Sequence, residues 1–224
     1  MRYRILVTAA LLAVIFTPAA VSAQTSRVEV SGIFGWTTSD GVDGNAVLAG
    51  DGNIYDAIDV KDSFSWGFGV GFNATENAEV GFLFNQQLST LRVQGTATRD
   101  IGDMNVNSYH PYFAYNFLPE DSTVRPYVLI GLGATNYASV AFTGIGGVAR
   151  ETGGETQFST TWGAGVKFFA TPNVGIRVGA HWTPTYIKTD EGGWWCDPYW
   201  GCYLVGDAKY ANQFHFNGGI VFRF

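Results

Sequence analysis

The sequence predicts an all-β fold: an eight-stranded antiparallel transmembrane up-and-down β-barrel, with short turns at one rim and long loops at the other. Three observations predict it. Segments of roughly ten residues alternate apolar and polar side chains, as a strand with one oily face requires. The connections alternate short and long along the chain. The apolar parity carries almost no charge, and lipid is the solvent that rewards this.

Composition agrees. Aromatic residues reach 16% against 14% charged, too apolar a balance for a disordered chain. Yet no run of 18 apolar residues offers a transmembrane helix, and mean hydropathy is only +0.06. A barrel wall reconciles the two, because its oily residues are interleaved with polar ones.

Residues 1–23 read as a signal peptide. Arg2 and Arg4 form the basic start, Ile5 to Phe16 a short apolar core, and Val21-Ser22-Ala23 a small-residue cleavage site. The barrel domain is then 24–224. Losing Arg2 and Arg4 takes the formal net charge from −6 to −8, which argues against a nucleic-acid partner.

Arg27 to Trp36 is the first strand, followed by a long acidic loop, Thr37 to Asp62. In Ser63 to Asn73, Phe64, Trp66, Phe68, Val70 and Phe72 alternate with Gly and small polar residues, which suits a narrow lumen. A turn at Thr75–Asn77 leads to the third strand, Glu79 to about Leu91, in which Leu83 and Leu91 break the alternation. A second polar loop, Arg92 to Met104, precedes the fourth strand, Asn105 to Leu118. The fifth strand is Val124 to Tyr137, the third loop Ala138 to Gly154, and the sixth strand Glu155 to Ala170. The seventh is Val174 to Ile187, the fourth loop Lys188 to Tyr210, and the eighth closes the chain at Phe224. Short turns follow strands two, four and six, so both termini lie on the periplasmic side and the long loops face outward.

The terminal Gly-Gly-Ile-Val-Phe-Arg-Phe and the segment Arg125-Pro-Tyr-Val-Leu-Ile-Gly-Leu-Gly resemble the small eight-stranded outer-membrane barrels. That group includes the OmpA barrel domain and the OmpX, OmpW and opacity-type proteins. The resemblance implies the bacterial outer membrane, with its lipids and lipopolysaccharide as surroundings. It also implies insertion by an assembly machinery that reads the terminal aromatic strand, here Phe222 and Phe224. It carries no catalytic residue and implies no cofactor.

Several constellations are candidate sites. Glu29, Glu79, Lys167, Arg177 and Arg223 have inward parity near periplasmic strand ends. They suit a salt-bridge plug in a lumen too narrow to conduct; a gated ion path is the sharper reading. His110, His181 and His215 also point inward, at similar heights. Hydrogen-bonded lumen residues are the default for them, and a metal such as Zn²⁺ is the alternative. In the fourth loop, Cys196 and Cys202 are six positions apart in an oxidising compartment and suit a disulfide. That ring presents Trp194, Trp195, Tyr199, Trp200 and Tyr203, either as part of an interfacial aromatic girdle or as a rigid contact surface for a glycan, lipid or protein. Loop one carries Asp40, Asp43, Asp51, Asp56, Asp59 and Asp62, read as a solvated acidic loop. Lipid A-modifying enzymes and proteases on small barrels need a His with a Ser or Asp partner at a rim. Ser108, two residues before His110, is a thin basis for that.

The expectation is a structural or surface-recognition role carried by the loops, above all residues 188–210, and no enzyme activity. The alternative is OmpW-like passage of small apolar molecules, from the lumen mouth sideways into lipid.

Overall fold

The computed structural model describes residues 28–48, 53–143, 149–151, 153–187, 196–197, 201–202 and 210–224. The signal-peptide reading, and Trp194, Trp195, Tyr199, Trp200 and Tyr203, lie outside these residues.

Every element of the described residues is a strand. In chain order they are β1 (Val28–Ser39), β2 (Val42–Leu48), β3 (Ile54–Val60), β4 (Ser63–Asn73), β5 (Ala78–Gly95), β6 (Arg99–Asn116) and β7 (Val124–Tyr137). There follow β8 (Ala141–Thr143), β9 (Ala149–Glu151), β10 (Glu155–Phe169), β11 (Val174–Tyr186), β12 (Cys196–Asp197), β13 (Gly201–Cys202) and β14 (Tyr210–Arg223). Eight of them form the barrel, all antiparallel, in the order β1-β4-β5-β6-β7-β10-β11-β14. β14 returns to β1 through Glu29↔Arg223 to Ser39↔Gln213, which closes the sheet and removes its edges. Phe224 completes the seam: its N–H donates to the Val28 carbonyl at 2.8 Å and its carbonyl accepts from Val28 N–H at 3.2 Å.

The outward face is the apolar parity. Phe34, Trp36, Phe64, Trp66, Phe68, Val70, Phe72, Phe113, Tyr115, Ile176, Phe216, Ile220 and Phe222 are exposed there. No outward position of the eight walls from Val28 to Phe224 within the apolar belt is charged. Burial of apolar area in water would not leave such a surface; a hydrocarbon solvent does.

Three segments differ from the sequence reading. The acidic stretch 37–62 is not simply a loop: β1 continues to Ser39, and β2 and β3 form a hairpin whose inner strand pairs with the top of β5, Tyr55↔Gly95 through Val60↔Leu91. Its many Asp and Gly residues hide a strand that forms because a long-range partner is available. The stretch 92–104 is likewise strand on both sides of a tight reversal at residues 96–98, with β5 and β6 paired up to Val93↔Arg99. Leu83 and Leu91 do not break the alternation either. Both have inward parity and are only 4% exposed, so they pack inside the barrel. The third loop contains the short β8–β9 ladder.

Candidate functional site

Side chains of inward parity fill the lumen in layers. At the periplasmic end Glu29 is a hub. Its Oε1 accepts from Arg125 Nη1 and Arg223 Nη2, each at 3.0 Å, and from Asn73 Nδ2 at 3.3 Å. Its Oε2 accepts from Lys167 Nζ at 2.5 Å. The same ammonium donates to Glu79 Oε2 at 2.6 Å, and Glu79 Oε1 accepts from the Tyr112 hydroxyl at 2.6 Å. Arg125 and Arg223 also reach the turn carbonyls of Glu76 and Glu120, at 2.9 and 2.6 Å, and the Arg223 guanidinium lies 3.7 Å from the Phe169 ring centre. Glu29, Glu79, Lys167 and Arg223 thus meet in one network. Arg177 stands beside it, donating to Ser31 Oγ at 3.1 Å and Tyr127 Oη at 2.8 Å. Arg125 was not singled out from the sequence. Its parity was the available signal, since it alternates with outward Val124 and Val128.

Burying these ions is costly unless each is paired and its remaining hydrogen-bond capacity is met. Strands β1, β4, β5, β6, β7, β10 and β14 all contribute a member, so the network ties the periplasmic rim together.

Above it lie Ile33, Leu83, Leu129, Tyr112 and Tyr127, an apolar layer that sequence reasoning did not foresee. The imidazoles come next. His181 and His215 are directly opposite in the β11–β14 register. His215 Nδ1 is 3.1 Å from Asn85 Nδ2 and 2.7 Å from Thr37 Oγ1. An amide nitrogen only donates, so with Asn85 in this orientation Nδ1 accepts and the proton sits on Nε2. His181 is held the same way by Asn217 Nδ2 at 3.3 Å. A metal-binding imidazole needs the reverse: a bare nitrogen toward the ion while the other donates to its support. Among the described residues no three His, Cys, Asp or Glu side chains gather as a metal site. His110 is across the lumen, its Nε2 2.9 Å from Ser159 Oγ, which also accepts from Thr135 Oγ1 at 2.9 Å. Ser108 instead donates to the Asn85 carbonyl, at 3.5 Å. Both members of the His110–Ser159 pair are buried in the lumen, 1% and 0% exposed.

Higher still, Gln213 Nε2 donates to Gln87 Oε1 at 2.7 Å. The external end then holds an apolar cluster of Val42, Leu91, Met104, Val106, Tyr137, Val140, Ile187 and Ala211, against which Ile58, Val60 and Ile101 pack. The hairpin β2–β3 supplies part of this cap. Of the acidic residues beside it, Asp59 accepts from Gln94 at 3.0 Å and Asp62 from the Ser39 N–H at 3.1 Å. Asp51 lies outside the described residues.

In the fourth loop, the β12–β13 ladder sets Cys196 opposite Cys202 in the backbone register.

The sequence matches the family model described as outer membrane protein beta-barrel domain over residues 7–224. The chain belongs to this family. Among curated protein sequences, none matches this outer membrane β-barrel protein. Solved structures do. OprG from Pseudomonas aeruginosa superposes with a TM-score of 0.61 at 10% identity, covering 90% of this chain and 97% of OprG. Neisserial surface protein A gives 0.54 at 16% identity, covering 88% and 97%. AlkL, solved in lipid bilayers, gives 0.54 at 12%, covering 93% and 95%. At such identities the likeness concerns the fold. Family and fold together place the protein in the bacterial outer membrane, surrounded by lipid.

Proposed function

We propose that this outer membrane β-barrel protein works by contact: a non-conducting, non-catalytic barrel that presents its external sheet and loops to ligands or neighbouring envelope components. One observation carries the reading. The lumen is packed from the Glu29–Lys167 network to the Met104 cap, while the wall continues outward as β2, β3 and the upper halves of β5 and β6. The capacity for specific chemistry is therefore concentrated at the outer surface.

Within that surface, the segment 188–210 is the proposed recognition element. The opposed positions of Cys196 and Cys202 support a disulfide, because directly paired antiparallel residues have Cα separations within the range a disulfide spans. A closed ring holding Trp194, Trp195, Tyr199, Trp200 and Tyr203 would lose little entropy on binding a glycan or a protein. Cleavage after Ala23 and use of Phe222 and Phe224 as the assembly signal complete the proposal; the outward exposure of both Phe side chains supports the latter.

The test is twofold. The purified barrel in planar bilayers gives no defined conductance. A Trp194/Trp195/Trp200→Ala variant folds normally but loses binding on glycan and host-protein arrays. A steady conductance overturns the proposal, as does undiminished binding by the variant.

The apolar character of the external cap favours a second reading, passage of small apolar molecules from the mouth into lipid. Uptake of such a solute by vesicles carrying the barrel, abolished by blocking the mouth, would establish it in place of the first.

A further inference from the structure

The outer wall of β10, β11 and β14 carries a feature that its lipid-facing role alone does not require. The two registers place Thr160 beside Pro184 and Pro184 beside Asn212, a row of short side chains across three neighbouring strands. The row toward the external side is Phe158, Tyr186 and Tyr210, with the two tyrosine rings edge to face at 5.8 Å. The row toward the periplasm is Trp162, Trp182 and Phe214, with Trp182 stacked on Phe214 at 6.4 Å. The short residues leave a groove of about 400 Å³, lined by them, by Phe158, Tyr186 and Tyr210 on the external side and by Trp182 on the other.

Both indole N–H groups beside the groove are paired. Trp182 Nε1 donates to Asn212 Oδ1 at 3.1 Å, and Trp162 Nε1 donates to Thr160 Oγ1 at 3.1 Å. Pro184 has no N–H, and the β10–β11 ladder skips from Ser159↔Thr185 to Trp162↔Trp182 around it. The lining carries no charge. The groove offers no ionic group to a ligand, and its polar side-chain atoms are those of Thr160, Asn212 and the two tyrosines beside Trp182.

Position names the occupant. Pro184 is ten residues into β11, and about 9–11 tilted residues cross the hydrocarbon. The groove therefore lies at the external edge of the membrane, where lipid chains meet their polar ends. Strands tilted about 45° make a row perpendicular to them run at about 45° to the membrane normal, a path open to a chain descending from the outer leaflet.

We propose that this groove is a binding site for one acyl chain of an outer-leaflet lipid, gripped between the aromatic rows and selected by its chain and not by its headgroup. The tyrosine hydroxyls at the upper row would sit level with the chain's ester.

Native mass spectrometry of the barrel released from mixed micelles tests this, with dioleoyl phosphatidylcholine and dioleoyl phosphatidylglycerol as separate probes. The expected result is one retained lipid per barrel, equally for both. Filling the row with Thr160→Trp, or independently with Asn212→Phe, lowers retention by about tenfold, which corresponds to about 1.4 kcal/mol. Val128→Trp, an outward change on β7, leaves it unchanged. Each variant is first checked for the gel mobility of a folded barrel, and two filling variants guard against one misfolding. Retention unaffected by either filling variant overturns the proposal. So does retention that follows headgroup charge, or a dimer in place of the lipid adduct.

Discussion

Lys167 Nζ sits between two carboxylates, 2.5 Å from Glu29 Oε2 and 2.6 Å from Glu79 Oε2, with all three side chains only 3% exposed. One cation holds apart two anions from strands that are not neighbours, β1 and β5. Replacing it with Met keeps much of the volume and leaves both carboxylates facing each other. The expected loss is about 3–5 kcal/mol, the usual cost of removing one partner of a buried ion pair. Reversible urea unfolding in lipid vesicles measures it. Adding Glu79→Gln to Lys167→Met should recover part of the loss, a coupling that a double-mutant cycle isolates.

The lumen is crowded and the lipid face is open, and two glycines report the difference. A Cβ at Gly133 would lie 1.9 Å from the Tyr109 carbonyl oxygen and 2.9 Å from His110 Cδ2. Gly133→Ala should therefore force β6 and β7 apart and cost about 1–3 kcal/mol or more. A Cβ at outward Gly32 would meet nothing within 4 Å. Gly32→Ala should be neutral in the same unfolding assay.

The external cap should behave as a protein core. Met104 is 1% exposed within it, and Met104→Ala should cost about 2–5 kcal/mol by losing contacts and leaving a cavity. Because the Glu29 network lies at the far end, its loss should add to that of Lys167→Met within about 0.5 kcal/mol.

At the tip of β5 and β6, Asp100 receives a hydrogen bond from Arg92 Nε at 3.0 Å and lies 3.6 Å from Lys61 Nζ. The Arg92 hydrogen bond, ahead of Lys61's charge, holds its carboxyl below the ordinary value of 3.8. A lowered folded value means the contribution is present above the unfolded carboxyl's titration and lost as pH falls through the folded one. The pair is exposed, so the effect on stability is at most a few tenths of a kcal/mol. Carboxyl ¹³C titration should show the Asp100 midpoint rising toward the peptide value in Arg92→Gln, and also in about 1 M salt.

The walls were legible because lipid enforces a strict period of two. From Phe64 to Phe72 each outward position meets hydrocarbon, and the pattern admits few exceptions. Above the membrane that discipline ends. Ile54 to Val60 mixes Asp with Ile because its faces meet water, the cap and β5, so nothing in the local pattern announces a strand. The lumen was half legible for a related reason. Parity told which of Glu29, Lys167 and Arg223 turn inward, but not that His110 would find Ser159, 49 residues away. That pairing depends on the stagger between strands, which alternation does not encode.

The barrel's wall is not of even height. β5 and β6 each run 18 residues, whereas β11 has 13. At about 3.4 Å per residue and a tilt of about 45°, that is roughly 12 Å of extra height on one side. Among the described residues, then, the strand wall has a taller flank at β5 and β6, opposite the strands that lead into and out of the segment 188–209. The two halves of the outer rim are therefore built differently: paired backbone carries β5 and β6 outward, whereas the β11 side hands over to the segment that holds Cys196 and Cys202.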